Sequence, residues 1–213
     1  MVMHRVLVAL AFSSIAAGCA VPERSRALND PAVAAPAIAQ QVCSNCHGID
    51  GNSVSPNFPR LAGQQPAYLV AQLTGFRNHH RSDPAGFEYM WGLSRHLTDA
   101  QIQGLADYFA AQEPTRNAPG NAALTARGED VFKHGVPAKD IPPCQSCHGP
   151  EGQGNGNFPR LAGQHADYVE KQLMVFQRTN ERPEGAVMKT IAHLLTPDNM
   201  VAVANYVQGL PPK

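Results

Sequence analysis

One five-residue string occurs twice in this sequence and constrains the fold more than any other feature. It reads CSNCH at residues 43–47 and CQSCH at residues 144–148. Two cysteines with two residues between them, followed at once by histidine, are typical of the covalent attachment of a c-type haem. The thiols form thioether bonds to the porphyrin, and the histidine becomes the proximal ligand of the iron. The string therefore predicts two covalently bound haem c groups. Their attachment residues are Cys43, Cys46, Cys144 and Cys147, and the proximal iron ligands are His47 and His148.

Other uses of paired cysteines fit this sequence less well. A structural zinc site closes its coordination with nearby ligand pairs, whereas these two pairs lie 101 residues apart. A thioredoxin-like redox motif lies between a strand and a helix, and neither copy has that setting. The histidine directly after each pair favours haem over both alternatives.

The second half of the chain repeats the first, which predicts two related domains. The string FPRLAGQ occupies residues 58–64 and returns at residues 158–164. Met90 matches Met188 at a displacement of 98 residues, and we expect small loop deletions to account for the drift from 101. Four residues of the first half, Tyr68, Gln72, Leu73 and Phe76, return as Tyr168, Gln172, Leu173 and Phe176.

Composition and the first residues indicate an exported protein. The chain has 17 basic and 17 acidic residues, so no charge surplus points to a nucleic acid partner. Residues 1–20 have a short basic start and an apolar core ending in small residues, which is typical of a signal peptide. Export agrees with haem c attachment, which in bacteria takes place outside the cytoplasm. We therefore predict a periplasmic location.

Cys19 leaves two routes of processing open. The string AAGC at residues 16–19 is similar to a bacterial lipoprotein cleavage site, after which a lipidated Cys19 would tether the protein to a membrane. Cleavage after Ala20 would instead remove Cys19 with the signal peptide. The sequence fits both routes about equally.

Segment composition places the domain boundaries. Residues 21–35 are predicted to be a tether, and residues 113–121 have the Pro, Gly and Asn content of a linker. The domains are then residues 36–112 and 122–213, each of a size at which an apolar core alone is marginal. A buried porphyrin would supply the missing apolar contact, so we expect the haem-free chain to be poorly folded.

Apolar periodicity predicts helices and no strand, so the expected fold class is all-α. One predicted helix covers residues 66–79, with Tyr68, Gln72 and Phe76 on its inward face. The last helix of each half is expected to begin after a capping threonine, Thr98 or Thr196. Further helices, at residues 32–42 and 122–133, precede the two haem strings. The inward residues of the last helices are Ile102, Leu105, Ala106 and Phe109 in the first half, and Met200, Val203, Ala204 and Val207 in the second.

Methionine is the candidate sixth ligand of each iron. Met90 is the single methionine of the first half after residue 20, and Met188 occupies the matching place in the second half, each in a predicted loop before the last helix. Met174 and Met200 lie in amphipathic helical patterns and are interpreted as core residues. Thioether sulfur favours ferrous iron and fills the sixth position. His/Met coordination therefore predicts electron transfer without substrate binding at the metal.

Several other residues have weaker assignments. The remaining histidines between residues 79 and 193 are interpreted as surface or packing residues. The backbone carbonyls of Pro59 and Pro159 are candidate acceptors for the proximal imidazole proton, which would orient the ring. Arg60 and Arg160 are candidates to offset haem propionate charge. Both adjacent pairs, Pro59 with Arg60 and Pro159 with Arg160, fit equally well a proline in a turn beside an arginine exposed to water.

Taken together, the twin CxxCHG and FPRLAGQ strings and the paired methionines resemble the cytochrome c4 family. The resemblance covers residues 36–210 and implies two tandem class I cytochrome c domains, each wrapped around one haem c. It also implies a pseudo-twofold axis between the domains, with the haems approaching each other across the interface. The His-to-Met intervals look short for the family.

The leading functional hypothesis is a periplasmic electron carrier of a respiratory chain, with a redox protein as donor and a terminal oxidase as acceptor, rather than an enzyme. Residues 36–113 carry 4 basic and 6 acidic side chains, and residues 114–213 carry 10 and 9, a small asymmetry that favours different partners for the two haem faces. We also predict unequal potentials for the two haems. One alternative is a two-haem peroxidase or sulfur-compound dehydrogenase with an open iron. Another is an electron-transfer subunit permanently bound to a membrane dehydrogenase.

Overall fold

A computed structural model describes residues 26–212 of the chain. The predicted signal peptide and Cys19 lie outside the described residues. The described part contains helices and two isolated β-bridges, Val136 with Ile141 and Asn155 with Phe158, and no strand. The prediction of an all-α fold is confirmed. Within residues 26–212, no helix combines the length and the apolar character needed to cross a membrane.

The first half consists of four helical segments. Helix α1 is a continuous run of an α-helical turn, Ala35–Ile38, a wider π-helical turn, Ala39–Cys43, and a second α-helical turn, Ser44–His47. Helix α2 spans Pro66–Arg77. Helix α3 is a second composite run, in which Pro84–Gly86 and Gly92–Ser94 flank the π-helical turn Phe87–Trp91. Helix α4 spans Asp99–Ala110.

The second half repeats this order with five helices and two short 3₁₀ turns. The 3₁₀ turns are Pro137–Lys139 and Pro183–Gly185. The helices are α5 (Ala122–His134), α6 (Gln145–His148), α7 (Ala166–Arg178), α8 (Ala186–Leu194) and α9 (Pro197–Gly209).

The last helix of each half begins as the sequence predicts. Thr98 accepts a hydrogen bond from the Gln101 backbone N–H, and the Gln101 side chain accepts one from the Thr98 backbone N–H, which completes a capping box. Thr196 caps α9 by accepting from the Asn199 N–H, with Pro197 in the first turn. The predicted inward residues of both helices are buried, so each helix packs one apolar face against its own half.

Two separate hydrophobic cores lie one in each half. The first joins α1, α2 and α4 around Ile38, Leu69 and Leu105. The second joins α5, α7 and α9 around Phe132 and Met200, which confirms Met200 as a core residue. Met174 packs against the edge of this second core. The repeat in the sequence therefore corresponds to two helical units with a core each.

Met90 and Met188 lie in helices, and the prediction that they lie in loops is wrong. Gly86 and Gly185 both border the ring of the matching phenylalanine, Phe76 or Phe176. The methionine follows four residues later in the first half and three residues later in the second. The extra residue is accommodated by the π-helical turn of α3, where one more residue fits without breaking the helix. Part of the drift in the repeat is thus an insertion within a helix rather than a loop deletion.

Candidate functional site

Each haem string ends a helix and presents its histidine to the interior. α1 ends at His47 and α6 at His148, and each is followed by a glycine with positive φ, 79° at Gly48 and 83° at Gly149. A side chain at such a φ would be strained. The glycine therefore lets the chain turn away directly after the histidine.

Both histidine rings are oriented by the carbonyls that the sequence identified. His47 Nδ1 donates to the Pro59 carbonyl oxygen at 2.8 Å, and His148 Nδ1 donates to that of Pro159 at 2.9 Å. Burial lowers the pKa of both imidazoles, although these hydrogen bonds partly oppose the shift. A neutral ring with Nδ1 engaged in this way has the lone pair of Nε2 available to bind a metal.

The four cysteines of the two strings form no disulfide in the part of the chain that the structure describes. Burial raises the pKa of Cys43 and of Cys144 to about 11. A thiol with such a pKa is protonated at neutral pH and is a poor redox nucleophile. These environments argue against thioredoxin-like chemistry.

A single cavity of about 910 Å³ runs through both halves. It is lined mainly by apolar side chains. The residues that the sequence assigned to haem binding all line it: Cys43, Cys46, His47 and Met90 from the first half, and Cys144, Cys147, His148 and Met188 from the second.

The side chains that line this cavity are chemically suited to haem. The two histidine rings are flanked by aromatic edges, with the Phe58 and Phe158 rings centred 6.3 Å and 6.2 Å from His47 and His148. Arg60 and Arg160 also line the cavity. The buried Arg60 Nε has no hydrogen-bond partner within the described residues, so a cation is available for a carboxylate of the cofactor.

Known proteins show the same organisation. The family model for cytochrome c matches residues 32–112 and again residues 125–211. Cytochrome c4 of Azotobacter vinelandii is 40% identical over 179 residues, an overlap of 79% of this chain and 84% of the relative. The chain belongs to the cytochrome c4 family. It is accordingly an electron-transfer protein that binds two haem c groups covalently.

A solved structure agrees in fold as well as in sequence. The structure of Acidithiobacillus ferrooxidans cytochrome c4 superposes with a TM-score of 0.74 at 41% identity, covering 79% of this chain and 98% of that one. A further relative, named a thiosulfate dehydrogenase electron acceptor, comes from Thiomonas intermedia. It is 35% identical over 174 residues, with 79% of this chain and 78% of the relative covered.

The two cytochrome domains are joined by reciprocal glutamine contacts. The Gln64 side chain accepts from the Arg160 backbone N–H at 2.7 Å and donates to the Arg160 carbonyl at 3.0 Å. Gln164 makes the same pair of bonds to the backbone of Arg60, at 2.9 and 3.0 Å. Gln64 and Gln164 thus make equivalent contacts, each with the other half, as expected for pseudo-twofold symmetry.

A second buried contact joins the domains through two arginines. Arg81 donates to the side-chain oxygens of Gln72 at 2.8 Å and Gln172 at 3.2 Å. Arg182 donates to Gln172 at 2.5 Å and to Gln72 at 2.7 Å. Each guanidinium also lies over the matching phenylalanine ring of its own half. All four polar side chains line the shared cavity.

Sequence reasoning missed the role of these polar residues. Gln72 appeared only as a member of an inward helical face and Gln172 only as its repeat counterpart, and Arg81 and Arg182 were not selected. The sequence did offer one signal, a glutamine at matching positions of two otherwise apolar helix faces. Because buried polar groups need hydrogen-bond partners, this glutamine indicated a polar contact inside the protein. No local pattern could show that the partner lies in the other domain.

His165 has a more specific role than surface or packing. It is buried, and its Nε2 donates to the Ser53 carbonyl of the other half at 2.9 Å. Its Nδ1 lies 3.2 Å from the Asn117 amide in the predicted linker. The matching residue, Gln65, donates to the Gln153 carbonyl across the same interface.

Proposed function

We propose that both irons of this cytochrome are ligated by histidine and methionine, His47 with Met90 and His148 with Met188. The thioether bonds are assigned to Cys43 and Cys46 in the first domain. They are assigned to Cys144 and Cys147 in the second. The support is that each set lines the shared cavity and that each imidazole is oriented through Nδ1. We keep the domain boundaries predicted above as part of this proposal.

The cofactor supplies reversible one-electron chemistry, and the protein residues determine what it can bind. The hydrogen bonds from the two histidine rings to the carbonyls of Pro59 and Pro159 hold the rings in one orientation. The Met90 carbonyl accepts a bond from the buried Ser94 hydroxyl at 2.7 Å, which braces the turn that carries this methionine. With sulfur in the sixth position, neither iron is open to a peroxide or a sulfur compound.

Single methionine variants test this coordination. Met90→Ala and Met188→Ala should each lower the intensity of the far-red methionine-to-iron charge-transfer band, normalised to total haem content, by about half. The reason is that each variant removes one of two thioether ligands. Met174→Ala is the matched control, since Met174 packs at the edge of the second core. Wild-type spectra in both ligand variants would refute the coordination.

We propose that the protein carries electrons in the periplasm to a terminal oxidase. The cytochrome c4 relatives support the carrier role, and the predicted signal peptide supports the location. The reduced protein mixed with membranes of its host is expected to be reoxidised with oxygen and to stay reduced when the oxidase is blocked by cyanide. Reoxidation that is insensitive to cyanide would contradict an oxidase as acceptor.

A second candidate is acceptance of electrons from a thiosulfate-oxidising enzyme. The support is the relative named a thiosulfate dehydrogenase electron acceptor. Thiosulfate alone is expected to leave the oxidised protein unchanged, whereas thiosulfate with such a dehydrogenase should reduce it. Purification as a stable complex with the dehydrogenase would favour a bound subunit over a mobile carrier.

Membrane tethering through Cys19 is a separate proposal. Mass spectrometry of the mature N-terminus distinguishes a lipidated Cys19 from cleavage after Ala20. If Cys19 is lipidated, Cys19→Ala should move the protein from the membrane to the soluble fraction.

A further inference from the structure

The segment that precedes the first haem helix lies against the first domain. Residues 26–34 form a strap, the last part of the predicted tether, that leads into α1. Backbone bonds fold the strap, from the Asp30 N–H to the Ala27 carbonyl at 2.9 Å and from the Val33 N–H to the Asp30 carbonyl at 3.1 Å. The Asp30 side chain adds a third bond by accepting from the Ala32 N–H at 2.9 Å. The strap is therefore a series of hydrogen-bonded turns rather than an extended connection.

Two apolar side chains of the strap pack against the first hydrophobic core. Val33 is a buried member of that core. Leu28 packs against the edge of the core, lines the shared cavity and stays half-buried. Covering the rest of the Leu28 side chain with another apolar group is favourable, because it removes apolar surface from water. A porphyrin in the first haem site is a group of that kind.

Gln101 of α4 holds the strap in place. Its side-chain amide donates to the backbone carbonyls of Asp30 and Val33, both at 3.0 Å. Its side-chain oxygen accepts from the Thr98 backbone N–H at 3.0 Å, which is one half of the capping box. Gln101 is 4% exposed, so little water competes for these bonds. One buried side chain thus joins the start of α4 to the strap.

The corresponding segment of the second domain takes a different course. The linker before α5 is the counterpart of the strap, yet none of the described residues between 110 and 140 lines the cavity. The linker is held by the last turns of α9. There Gln208 donates to the Ala118 carbonyl at 3.1 Å, and the Asn205 side chain accepts from the Asn121 N–H at 3.3 Å. Only the first haem site therefore has a wall residue that comes from the segment before its haem helix.

We propose that Leu28 is a haem-contact residue of the first domain, that Gln101 positions it, and that the strap shields the first haem from water. An apolar wall of this kind limits the access of water to a metal site. The inference rests on the proposed attachment of a haem at Cys43 and Cys46. Leu28 precedes residue 32, where the family match begins, so the match itself does not supply this contact.

The direct test is an NMR measurement on the reduced wild-type holoprotein, because low-spin ferrous iron is diamagnetic. We expect nuclear Overhauser effects between the Leu28 methyl groups and protons of the first haem. Their absence would overturn the proposal without any variant. Failure of the proposed attachment is recognised separately, because a peptide containing Cys43 and Cys46 would then lack the mass of haem. An attached haem without a contact to Leu28 would refute this inference alone.

A soluble gadolinium chelate measures the access of water to each haem through the relaxation of the haem methyl protons. Leu28→Ala should raise this relaxation about threefold at the first haem, because it removes part of an apolar wall. The second haem should be unchanged and serves as an internal reference. Leu124→Ala is the matched control, since Leu124 is also half-buried but lies in α5, away from the cavity wall. Equal exposure of the first haem in the two leucine variants would contradict the proposed contact.

Two variants at the start of α4 separate the positioning role of Gln101 from helix capping. Gln101→Glu keeps an acceptor oxygen for the Thr98 N–H but removes the amide that donates to the strap carbonyls. It should expose the first haem about as much as Leu28→Ala. Thr98→Ala weakens the cap and leaves the Gln101 amide in place, so it should lower stability without exposing the haem. The positioning role is wrong if Gln101→Glu leaves the first haem shielded, or if Thr98→Ala exposes it equally.

Discussion

Gln64 and Arg160 lie in different domains, and the Gln64 side-chain amide makes two hydrogen bonds to the backbone of Arg160, at 2.7 and 3.0 Å. Gln164 and Arg60 repeat this arrangement with the domains exchanged. A side-chain amide that satisfies both the N–H and the C=O of one residue substitutes for a backbone partner. The two domains are therefore held in register by four hydrogen bonds that neither domain can make alone.

Gln64→Ala is expected to lower the free energy of unfolding by about 1–3 kcal/mol, because it leaves buried backbone groups of Arg160 without their partner. Urea unfolding of the holoprotein measures the change. Gln103→Ala is the control, since Gln103 is exposed on α4 and bonds only within that helix, and its effect should stay within about 0.5 kcal/mol. Equal effects of the two variants would contradict a structural role for the glutamine contact.

His165 is expected to make stability depend on pH. Burial lowers its pKa below the ordinary value of 6.5, although its hydrogen bond to the Ser53 carbonyl opposes the shift. The unfolded chain then binds the proton more readily than the folded protein, so stability is full above pH 6.5 and falls as the pH drops below that value. Unfolding curves measured at several pH values between 5 and 8 give the size of this loss.

His165→Gln should reduce the loss, because glutamine does not titrate and Gln65 shows that this side chain reaches the matching carbonyl. His96→Gln, at an exposed position, should leave the pH profile unchanged. The interpretation is wrong if His165→Gln retains the full loss of stability below pH 6.5.

Gly86 and Gly92 lie in the same composite helix, α3, and are expected to respond in opposite directions to alanine. A Cβ at Gly86 would overlap the Phe76 ring, whereas a Cβ at Gly92 would meet nothing within 4 Å. Gly86→Ala should destabilise the protein by about 1–3 kcal/mol through overpacking. Gly92→Ala should stabilise it by about 0.5–1 kcal/mol through helix propensity. Thermal unfolding of both holoproteins checks the signs, and a stabilised Gly86→Ala protein would contradict the packing.

Removal of one haem is expected to weaken both domains, because the cavity of about 910 Å³ is lined by both. A Cys43→Ala/Cys46→Ala protein should lose helical circular dichroism and also unfold its second domain at lower urea concentration. The matching Cys144→Ala/Cys147→Ala protein provides the reciprocal comparison. Unchanged stability of the remaining haem domain in both proteins would show that the domains fold independently.

The sequence predicted most of the secondary structure because the relevant signals are local. Thr98 and Thr196 mark helix starts, and the apolar spacing of Ile102 and Leu105 identifies the buried face. The prediction that Met90 lies in a loop was wrong for a physical reason. A π-helical turn differs from an α-helix by one accommodated residue, and its sequence has no distinctive residue type.

The chemistry of each site was predictable from local sequence, because a haem string predicts covalent attachment and one iron ligand within five consecutive residues. The Pro59 and Pro159 carbonyls were also predictable as acceptors, since each lies in a repeated string. How the two sites meet depends instead on contacts between the folded domains. The bonds of Gln64 to Arg160, and of Arg81 and Arg182 to both glutamines, join residues about 100 positions apart. Such contacts depend on how two folded surfaces dock, and no local pattern in the chain encodes that docking.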